Sequence, residues 1–211
     1  MNTGIDGERE ALRARLAAMF LEVQQQVADA VRALEREDAQ LAGEVHLKRR
    51  GIAGELDSLE RDAVALAGRL ANVDDVAQFA IAVIQIGASL RQVDHLVDQL
   101  GDSAEAMASA HLPDDLVDHL RHMAELALLQ FTAAQEALAA RDHSLAERAL
   151  KRDIELDSWY DLLLKECFDD VAERGEVPAH LAAMLSTAKL LERISGCSMA
   201  LSEGVALVVS A

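Results

Sequence analysis

Apolar residues in two parts of the chain recur in steps of four and three, the spacing that places side chains on one face of an α-helix. The first series is Leu12, Leu16, Met19, Val23, Val27, Ala30 and Leu34. The second series has the same order of steps 104 residues later, and it is Leu116, Leu120, Met123, Ala127, Phe131, Ala134 and Leu138. The pattern predicts two long amphipathic helices at equivalent places of the chain.

The residues that follow each predicted helix keep the same offset. ALEREDAQLAGEV from Ala33 aligns with ALAARDHSLAERA from Ala137, and an Ala, two Leu, an Asp and a second Ala are identical in register. Asp38 and Asp142 occupy equivalent positions, and each is predicted to cap the N-terminus of a new helix by accepting hydrogen bonds from its free amides. Identities at the turn as well as on the helix indicate an internal duplication.

The rest of the chain continues these patterns as three helices in each half. Gly101 is predicted to end the third helix. Pro113 directly precedes the fourth predicted helix, and Pro178 is the first residue of the sixth. The predicted fold is all-α, with two tandem antiparallel three-helix bundles, residues 1–101 and 114–211, joined by a linker of residues 102–113. The approximate helices are 7–36, 38–70, 74–101, 114–140, 142–174 and 178–209.

Composition agrees with a helical core and excludes several classes of function. Hydrophobic residues make up 51% of the 211 residues and there are only two prolines. Twenty Lys and Arg face 37 Asp and Glu, giving a formal charge of −17, so nucleic acid is not expected as a direct ligand. The first residues lack a signal-peptide pattern and no uncharged apolar run approaches the ~18 residues of a membrane span, which favours a cytoplasmic protein.

The two cysteines, Cys167 and Cys197, lie in separate helical patterns without a C-x-x-C partner. A disulfide framework or a zinc finger is therefore not expected, and both are predicted to be buried free thiols. No serine, cysteine or lysine stands in a catalytic motif and no phosphate-cradling glycine loop is present, so an enzyme is not expected.

Two aspartates interrupt the apolar seam predicted for the fifth helix. Asp153 and Asp157 lie one turn apart on one helical face, and Glu192 lies beside the apolar stripe of the sixth helix, which should pack against the fifth. Three carboxylates together are costly unless a cation meets them, and a hard divalent metal is one such cation. The alternative is that both aspartates reach solvent at an end of the bundle, beside basic neighbours.

Two further stretches are open to more than one interpretation. Asp115, Asp118, His119 and His122 in PDDLVDHLRH have D-x-x-x-H spacings suited to a transition metal, but a solvated acidic face has the same pattern. The C-terminal GVALVVSA is uncharged and apolar, so it is expected to dock either on its own bundle or on a second copy of the chain.

The order of these features resembles the PhoU family of phosphate-signalling proteins. The resemblance rests on QQQVADAVRALEREDAQLAGEV from Gln24, ALAARDHSLAERALKRDIELDSWY from Ala137 and LLERISGCSMALSE from Leu190, and it spans nearly the whole chain. It implies tandem three-helix bundles. It also implies, in each half, a D-x-x-x-D on the second helix and an E-x-x-x-D on the third, where some members bind iron, zinc or other divalent metals.

This chain matches those acid positions unevenly. In the second half Asp153, Asp157 and Glu192 fall at them while Gly196 stands at the fourth, so the resemblance implies a weakened site for Mg²⁺, Mn²⁺, iron or zinc. The first half has lost all four acids, because the equivalent positions hold Arg49, Ala53, Arg91 and His95. No metal is expected there, and Arg49 and Arg91 are predicted to form a basic spot instead. Asp94 and Asp98 form a displaced D-x-x-x-D that is predicted to be solvated.

The resemblance also implies a function. A PhoU-like protein is expected to be a non-enzymatic cytoplasmic regulator of phosphate uptake and of the phosphate-starvation response. Its expected partners are phosphate transporter components and a sensor histidine kinase, with membrane contact only through them, and it is expected to form a homodimer. The alternatives are a divergent regulator of a different transporter and a divalent-metal-binding helical protein.

Overall fold

A computed structural model of the chain describes residues 3–36, 38–48, 52–69, 74–108, 114–150, 153–175 and 181–210. These residues form helices with only short turns between them, and the described part contains no strand. The helices are α1 (Thr3–Arg36), α2 (Ala39–Lys48), α3 (Ile52–Arg69), α4 (Asp74–Ala108), α5 (Asp114–Ala140), α6 (His143–Leu150), α7 (Asp153–Arg174) and α8 (Leu181–Ser210). The all-α prediction is therefore confirmed.

The four longest helices, α1, α4, α5 and α8, form the centre of the molecule. Each packs against two of the others, in the cyclic order α1, α4, α8, α5. The short helices α2 and α3 pack on α1 and α4, while α6 and α7 pack on α5 and α8. Because each half contributes two of the central helices, the buried side chains form one continuous core across both halves.

The predicted apolar faces of the central helices are confirmed. All seven residues of the α1 series are buried. So are the members of the α5 series from Leu120 onward, while Leu116 is partly buried. On α8 the predicted stripe is buried throughout, namely Met184, Ala188, Leu191, Ile194, Leu201, Val205 and Val208. α1 and α5 run antiparallel, with the Phe20 and Phe131 rings 5.4 Å apart between centroids and the Arg121 side chain donating to the Glu35 carbonyl at 3.1 Å.

The turn after the first helix is the same in both halves. The Asp38 amide donates to the Ala33 carbonyl and the Asp142 amide to the Ala137 carbonyl, each at 3.1 Å. Both carboxylates cap the next helix as predicted: Asp38 Oδ1 accepts from the Gln40 and Leu41 amides, and Asp142 Oδ1 from the Ser144 and Leu145 amides. Before Asp142, Arg141 adopts a left-handed φ of 53°, which lets two amides return to the last carbonyls of α5.

The prediction that a helix ends at Gly101 is wrong. α4 continues through this glycine to Ala108, so residues 102–108 of the predicted linker are helical. The reason is that the apolar period continues: Leu100, Ala104 and Met107 are buried, and the Met107 sulfur accepts a hydrogen bond from Thr187 Oγ1 on α8 at 3.2 Å. The predicted helices 38–70 and 142–174 correspond to α2 with α3 and to α6 with α7, and residues 49–51 and 151–152 lie outside the described part.

Close packing of α4 and α8 depends on Gly204. A Cβ built there would lie 2.6 Å from Cγ1 of Ile86, which is fully buried, and 3.7 Å from the Ala82 carbonyl oxygen. The two helices run antiparallel, since Ile86 meets Gly204 at one end and Met107 meets Thr187 at the other. The C-terminal segment thus docks on its own bundle, with Val205 and Val208 buried and the Val208 carbonyl accepting from Arg13 at 3.0 Å.

α4 is also the one described helix that is long and apolar enough to cross a membrane. An 18-residue window within its residues 75–107 reaches a mean hydropathy of 1.3, but half of that window is buried inside the protein. Central helices of globular bundles have the same length and composition. The packing of α4 against α1, α3 and α8 accounts for its apolar character.

Candidate functional site

The second-half acid cluster lies where α7 packs on α8. The buried face of α7 is Leu156, Leu163 and Cys167, and Asp157 is exposed beside it. Of the two interpretations of the sequence, the solvent-facing one holds at Asp157, because the helix turns its leucines to the core and leaves this carboxylate in water. Burying an ionised carboxylate without partners is costly, and this rotation avoids the cost.

Glu192, on α8, is more sheltered than Asp157. Its Oε2 atom is buried and forms an ion pair with the Lys189 ammonium, one turn earlier on the same helix. That ammonium also lies 5.2 Å from the centre of the Tyr160 ring on α7, in cation–π geometry. The hydrogen bond that Lys189 donates to Glu192 raises the pKa of Lys189; partial burial opposes the shift, and the negative charges of Glu192 and Asp157 assist it.

The remaining family positions contribute no further described carboxylate. Gly196 is exposed on α8, and a Cβ there would meet nothing within 4 Å. The Asp153 side chain lies outside the described residues, so the ligand set of Asp153, Asp157 and Glu192 stays a prediction. Within the described part no three His, Cys, Asp or Glu side chains converge. Asp157 and Glu192 alone do not enclose a divalent cation, because Asp157 is exposed and the Lys189 ammonium already pairs with Glu192.

In the first half the equivalent region is held by an ion-pair network. Arg91 Nη2 on α4 lies 2.9 Å from Glu60 Oε1 and 2.9 Å from Asp57 Oδ1, both on α3. The hydrogen bond that Arg91 donates to Glu60 raises the pKa of Arg91; partial burial opposes the shift, and the charges of Glu60 and Asp57 assist it. The predicted basic spot is therefore wrong at Arg91, whose charge two acids neutralise. Arg49 lies outside the described residues.

The other predicted positions of the first half have ordinary surroundings. Ala53 is exposed on α3, and His95 is exposed on α4 with its Nε2 atom 2.9 Å from the Gln99 amide nitrogen. Asp94, predicted to be solvated, is mostly buried, and Asp98 is half-buried. The displaced D-x-x-x-D is therefore not a solvated face at Asp94.

Sequence reasoning missed a pair of buried glutamines. Gln26 and Gln130 occupy equivalent positions of α1 and α5, and both are almost fully buried. Gln130 accepts a hydrogen bond from the buried Ser195 hydroxyl of α8. A signal for these glutamines was present in the sequence: the same polar residue stands at the equivalent place of both apolar helices, 104 residues apart. Gln130 thus links α5 to α8, whereas the buried Gln26 amide has no side-chain hydrogen bond among the described residues.

The histidines of α5 have partners that differ from a metal site. Asp118 pairs with Arg121 at 2.9 Å, while His119 Nδ1 lies 2.9 Å from Glu166 Oε2 on α7. The rings of His119 and His122 both contact the Trp159 ring, the first tilted and the second edge-on, with centroid distances of 5.2 and 4.6 Å. These contacts attach α7 to α5, and the Asp115 side chain lies outside the described residues.

Two open grooves of about 440 Å³ lie along α3. One lies between α1 and α3, and ion pairs of Arg15 with Asp62 and of Arg69 with Glu8 cross it. The other is lined by residues 57, 60, 61 and 64, beside the Arg91 network. The described lining residues of both grooves are mainly charged and apolar side chains, with acids and arginine in each groove.

Comparisons with known proteins place these features in a family. A family model described as the PhoU domain matches residues 120–205. The fold is similar to the crystal structure of PhoU from Pseudomonas aeruginosa, with a TM-score of 0.88 and 22% identity over 97% of this chain and 98% of that one. It is also similar to the phosphate transport system regulatory protein PhoU from Streptococcus pneumoniae, with a TM-score of 0.84 and 19% identity over 97% and 96%.

A full-length match in sequence agrees with the fold. Over 210 residues the chain is 30% identical to the "Phosphate-specific transport system accessory protein PhoU homolog" of Rhizobium meliloti (strain 1021), covering 96% of this chain and 86% of the relative. The match spans both halves of the chain. The predicted resemblance is confirmed, and the chain belongs to the PhoU family.

Proposed function

We propose that this protein is a non-enzymatic cytoplasmic regulator of phosphate uptake and of phosphate-starvation signalling. It acts by binding components of a phosphate transporter, a sensor histidine kinase, or both. The observation that carries the proposal is the match to the R. meliloti relative, which is named an accessory protein of a phosphate-specific transport system, over nearly the whole chain. The packed helical core and the charged grooves agree with a protein that acts through its surface.

The charge of the surface favours basic partners. The chain carries a formal charge of −17 after every Lys and Arg is counted, so its surface is acidic overall. On α7 the exposed face presents Asp157, Asp161 and Asp169 together with Phe168, whose side chain is 64% exposed. An acidic face with an apolar centre suits a basic segment of a protein partner that carries an apolar side chain of its own.

Regulation in this proposal follows from a change in the partner. The continuous core makes the eight described helices a rigid platform. We infer that phosphate status changes the partner, and so which partner surface binds this platform, and that no chemical step occurs on this chain. Contact with the membrane then occurs only through those partners. We also infer a homodimer, as the family resemblance implies, for which light scattering of the purified protein is the direct measurement.

Affinity capture from cells grown in high and low phosphate tests the proposal. The tagged protein is expected to capture cytoplasmic subunits of a phosphate transporter or a sensor kinase, in amounts that change with phosphate supply. Phe168→Ser and Leu129→Ser are matched variants, because each removes one exposed apolar side chain, on α7 and α5. Loss of capture with Phe168→Ser alone is expected if the α7 face makes the contact.

Two other outcomes correspond to the alternatives. Capture of a different transporter, independent of phosphate supply, would replace the proposal with a divergent regulator of that transporter. A protein that captures neither class, but purifies with a stoichiometric divalent metal, would favour a metal-binding helical protein. Elemental analysis of protein purified without chelator measures this directly.

A further inference from the structure

The acids of the second half have a cation of their own. Glu192 points its buried Oε2 atom at the Lys189 ammonium and forms an ion pair with it, while the Lys189 side chain is about half exposed. Tyr160 of α7 supplies the face of its ring to the same ammonium at 5.2 Å. Lys189 thus joins α7 and α8 at the place where the family resemblance implies a metal.

The geometry argues against a divalent ion in the same place. A divalent cation bound by Glu192 would lie within a few ångströms of the ammonium, and like charges at that range repel strongly even near the surface. Gly196 provides no compensating carboxylate, although the space beside it is open. Asp157, being exposed, contributes its charge to the cluster without enclosing a ligand.

We propose that Lys189 supplies from within the chain the positive charge that a divalent cation would otherwise supply to Asp157 and Glu192. The second half then keeps its acids and its contact between α7 and α8 without a metal. Removal of the ammonium, together with restoration of a carboxylate at position 196, is expected to convert the cluster into a metal site.

The first half reaches a similar balance from another position. There Arg91 of α4 neutralises Asp57 and Glu60 of α3, at 2.9 Å from each. Arg91 aligns with Glu192 rather than with Lys189, so the two halves place their cations differently. In both halves, however, a basic side chain neutralises carboxylates where two helices meet: Arg91 between α4 and α3, and Lys189 between α8 and α7. Charge neutralisation is therefore the requirement that the two halves share.

Metal binding by designed variants tests the proposal. Wild type, Lys189→Gln, Gly196→Asp and the double variant Lys189→Gln/Gly196→Asp are titrated with Mn²⁺ and with Zn²⁺ alone. Bound metal is measured by equilibrium dialysis, and the thermal midpoint is followed by circular dichroism. The double variant is expected to bind Mn²⁺ at least about tenfold more tightly than wild type, because one repelling charge is gone and one ligand is gained. Its midpoint should rise with Mn²⁺ while that of wild type does not.

Two control variants separate the local effect from net charge and from misfolding. Lys165→Gln makes the same charge change on the exposed face of α7, about 12 Å along the helix from Asp157, and should bind Mn²⁺ as weakly as wild type. Lys189→Arg keeps the charge and should also resemble wild type. Wild type that binds Mn²⁺ or Zn²⁺ as tightly as the double variant would overturn the proposal. Equal binding by Lys189→Gln and Lys165→Gln, each combined with Gly196→Asp, would also overturn it.

Discussion

The close approach of α4 and α8 leads to a prediction about two glycines of the same helix. Gly196 and Gly204 both lie inside α8, but a Cβ at position 196 meets nothing within 4 Å while one at position 204 would lie 2.6 Å from Ile86 Cγ1. Gly196→Ala should therefore stabilise the protein by up to about 1 kcal/mol, since alanine has the higher helix propensity. Gly204→Ala has the same gain from propensity, and the difference between the two variants isolates the packing effect.

The cost at position 204 follows from the overlap. Ordinary contacts of a Cβ begin near 3.4 Å, so the helices or Ile86 must move by most of an ångström. Ile86 is fully buried and has little room to change rotamer. Inserting a methyl group into a packed core in this way costs about 1–3 kcal/mol, so Gly204→Ala should be less stable than Gly196→Ala by that amount. For a chain of this length, each kcal/mol corresponds to about 2–4 °C in the thermal midpoint.

Urea unfolding followed by circular dichroism measures the difference, and a double-mutant cycle assigns it to the contact. In an Ile86→Ala background, where the opposing Cγ1 atom is absent, the cost of Gly204→Ala should largely disappear. If Gly204→Ala proves as stable as Gly196→Ala in the wild-type background, the reasoning about the α4 and α8 contact is wrong. An unchanged cost in the Ile86→Ala background would contradict the assignment to Ile86.

Three further predictions concern charged and titratable groups. Arg91→Met leaves Asp57 and Glu60 without their cation, and because Arg91 is partly exposed we expect a loss of about 0.5–1 kcal/mol in urea unfolding that shrinks at high salt. Burial raises the pKa of the Cys197 thiol, so its alkylation, followed by mass spectrometry, should be slower than that of a free cysteine and accelerate only at more alkaline pH. Hydrogen bonds from Ser144 lower the pKa of Asp142. Wild type should therefore be more stable than Asp142→Ala at neutral pH, and this difference should disappear as acid protonates the wild-type carboxylate.

Each of these expectations has a result that contradicts it. An Arg91→Met variant as stable as wild type at low salt would mean that the two acids need no cation. Rapid alkylation of Cys197 in native protein at neutral pH would mean that the packing around α8 does not shelter the thiol. A stability difference between wild type and Asp142→Ala that persists unchanged in acid would rule out the charged cap as its source.

The sequence predicts the parts of the fold that depend on one helix at a time. The apolar series of α1, α5 and α8 identify their buried faces correctly, and Asp38 and Asp142 mark the repeated caps, because periodicity and capping are local properties. The end of α4 was wrong for a tertiary reason. Glycine at position 101 weakens a helix, but contacts of Leu100 and Met107 with the core hold it together.

The charged clusters depend on how two helices are rotated against each other, which periodicity leaves open. The seam of α7 was placed one position from its true orientation, so it included Asp157 while Leu156 is the buried residue. The network of Arg91 was missed because its partners lie on a different helix, 31 and 34 residues earlier in the chain. Lys189 was missed for another reason: its pairing with Glu192 is local, but only the position of Tyr160 shows that the ammonium faces the cluster.

The crossing of α4 and α8 has a consequence for how this chain can evolve. The duplicated halves are recognisable in sequence. However, Ile86 of one half packs so closely on Gly204 of the other that a methyl group added at position 204 overlaps the Ile86 side chain. A larger residue at position 204 therefore requires a smaller one at position 86, so neither half can change its third helix independently. Among relatives, we expect a larger residue at position 204 to occur with a smaller one at position 86. The two halves would then evolve as one folding unit, with compensating changes in both.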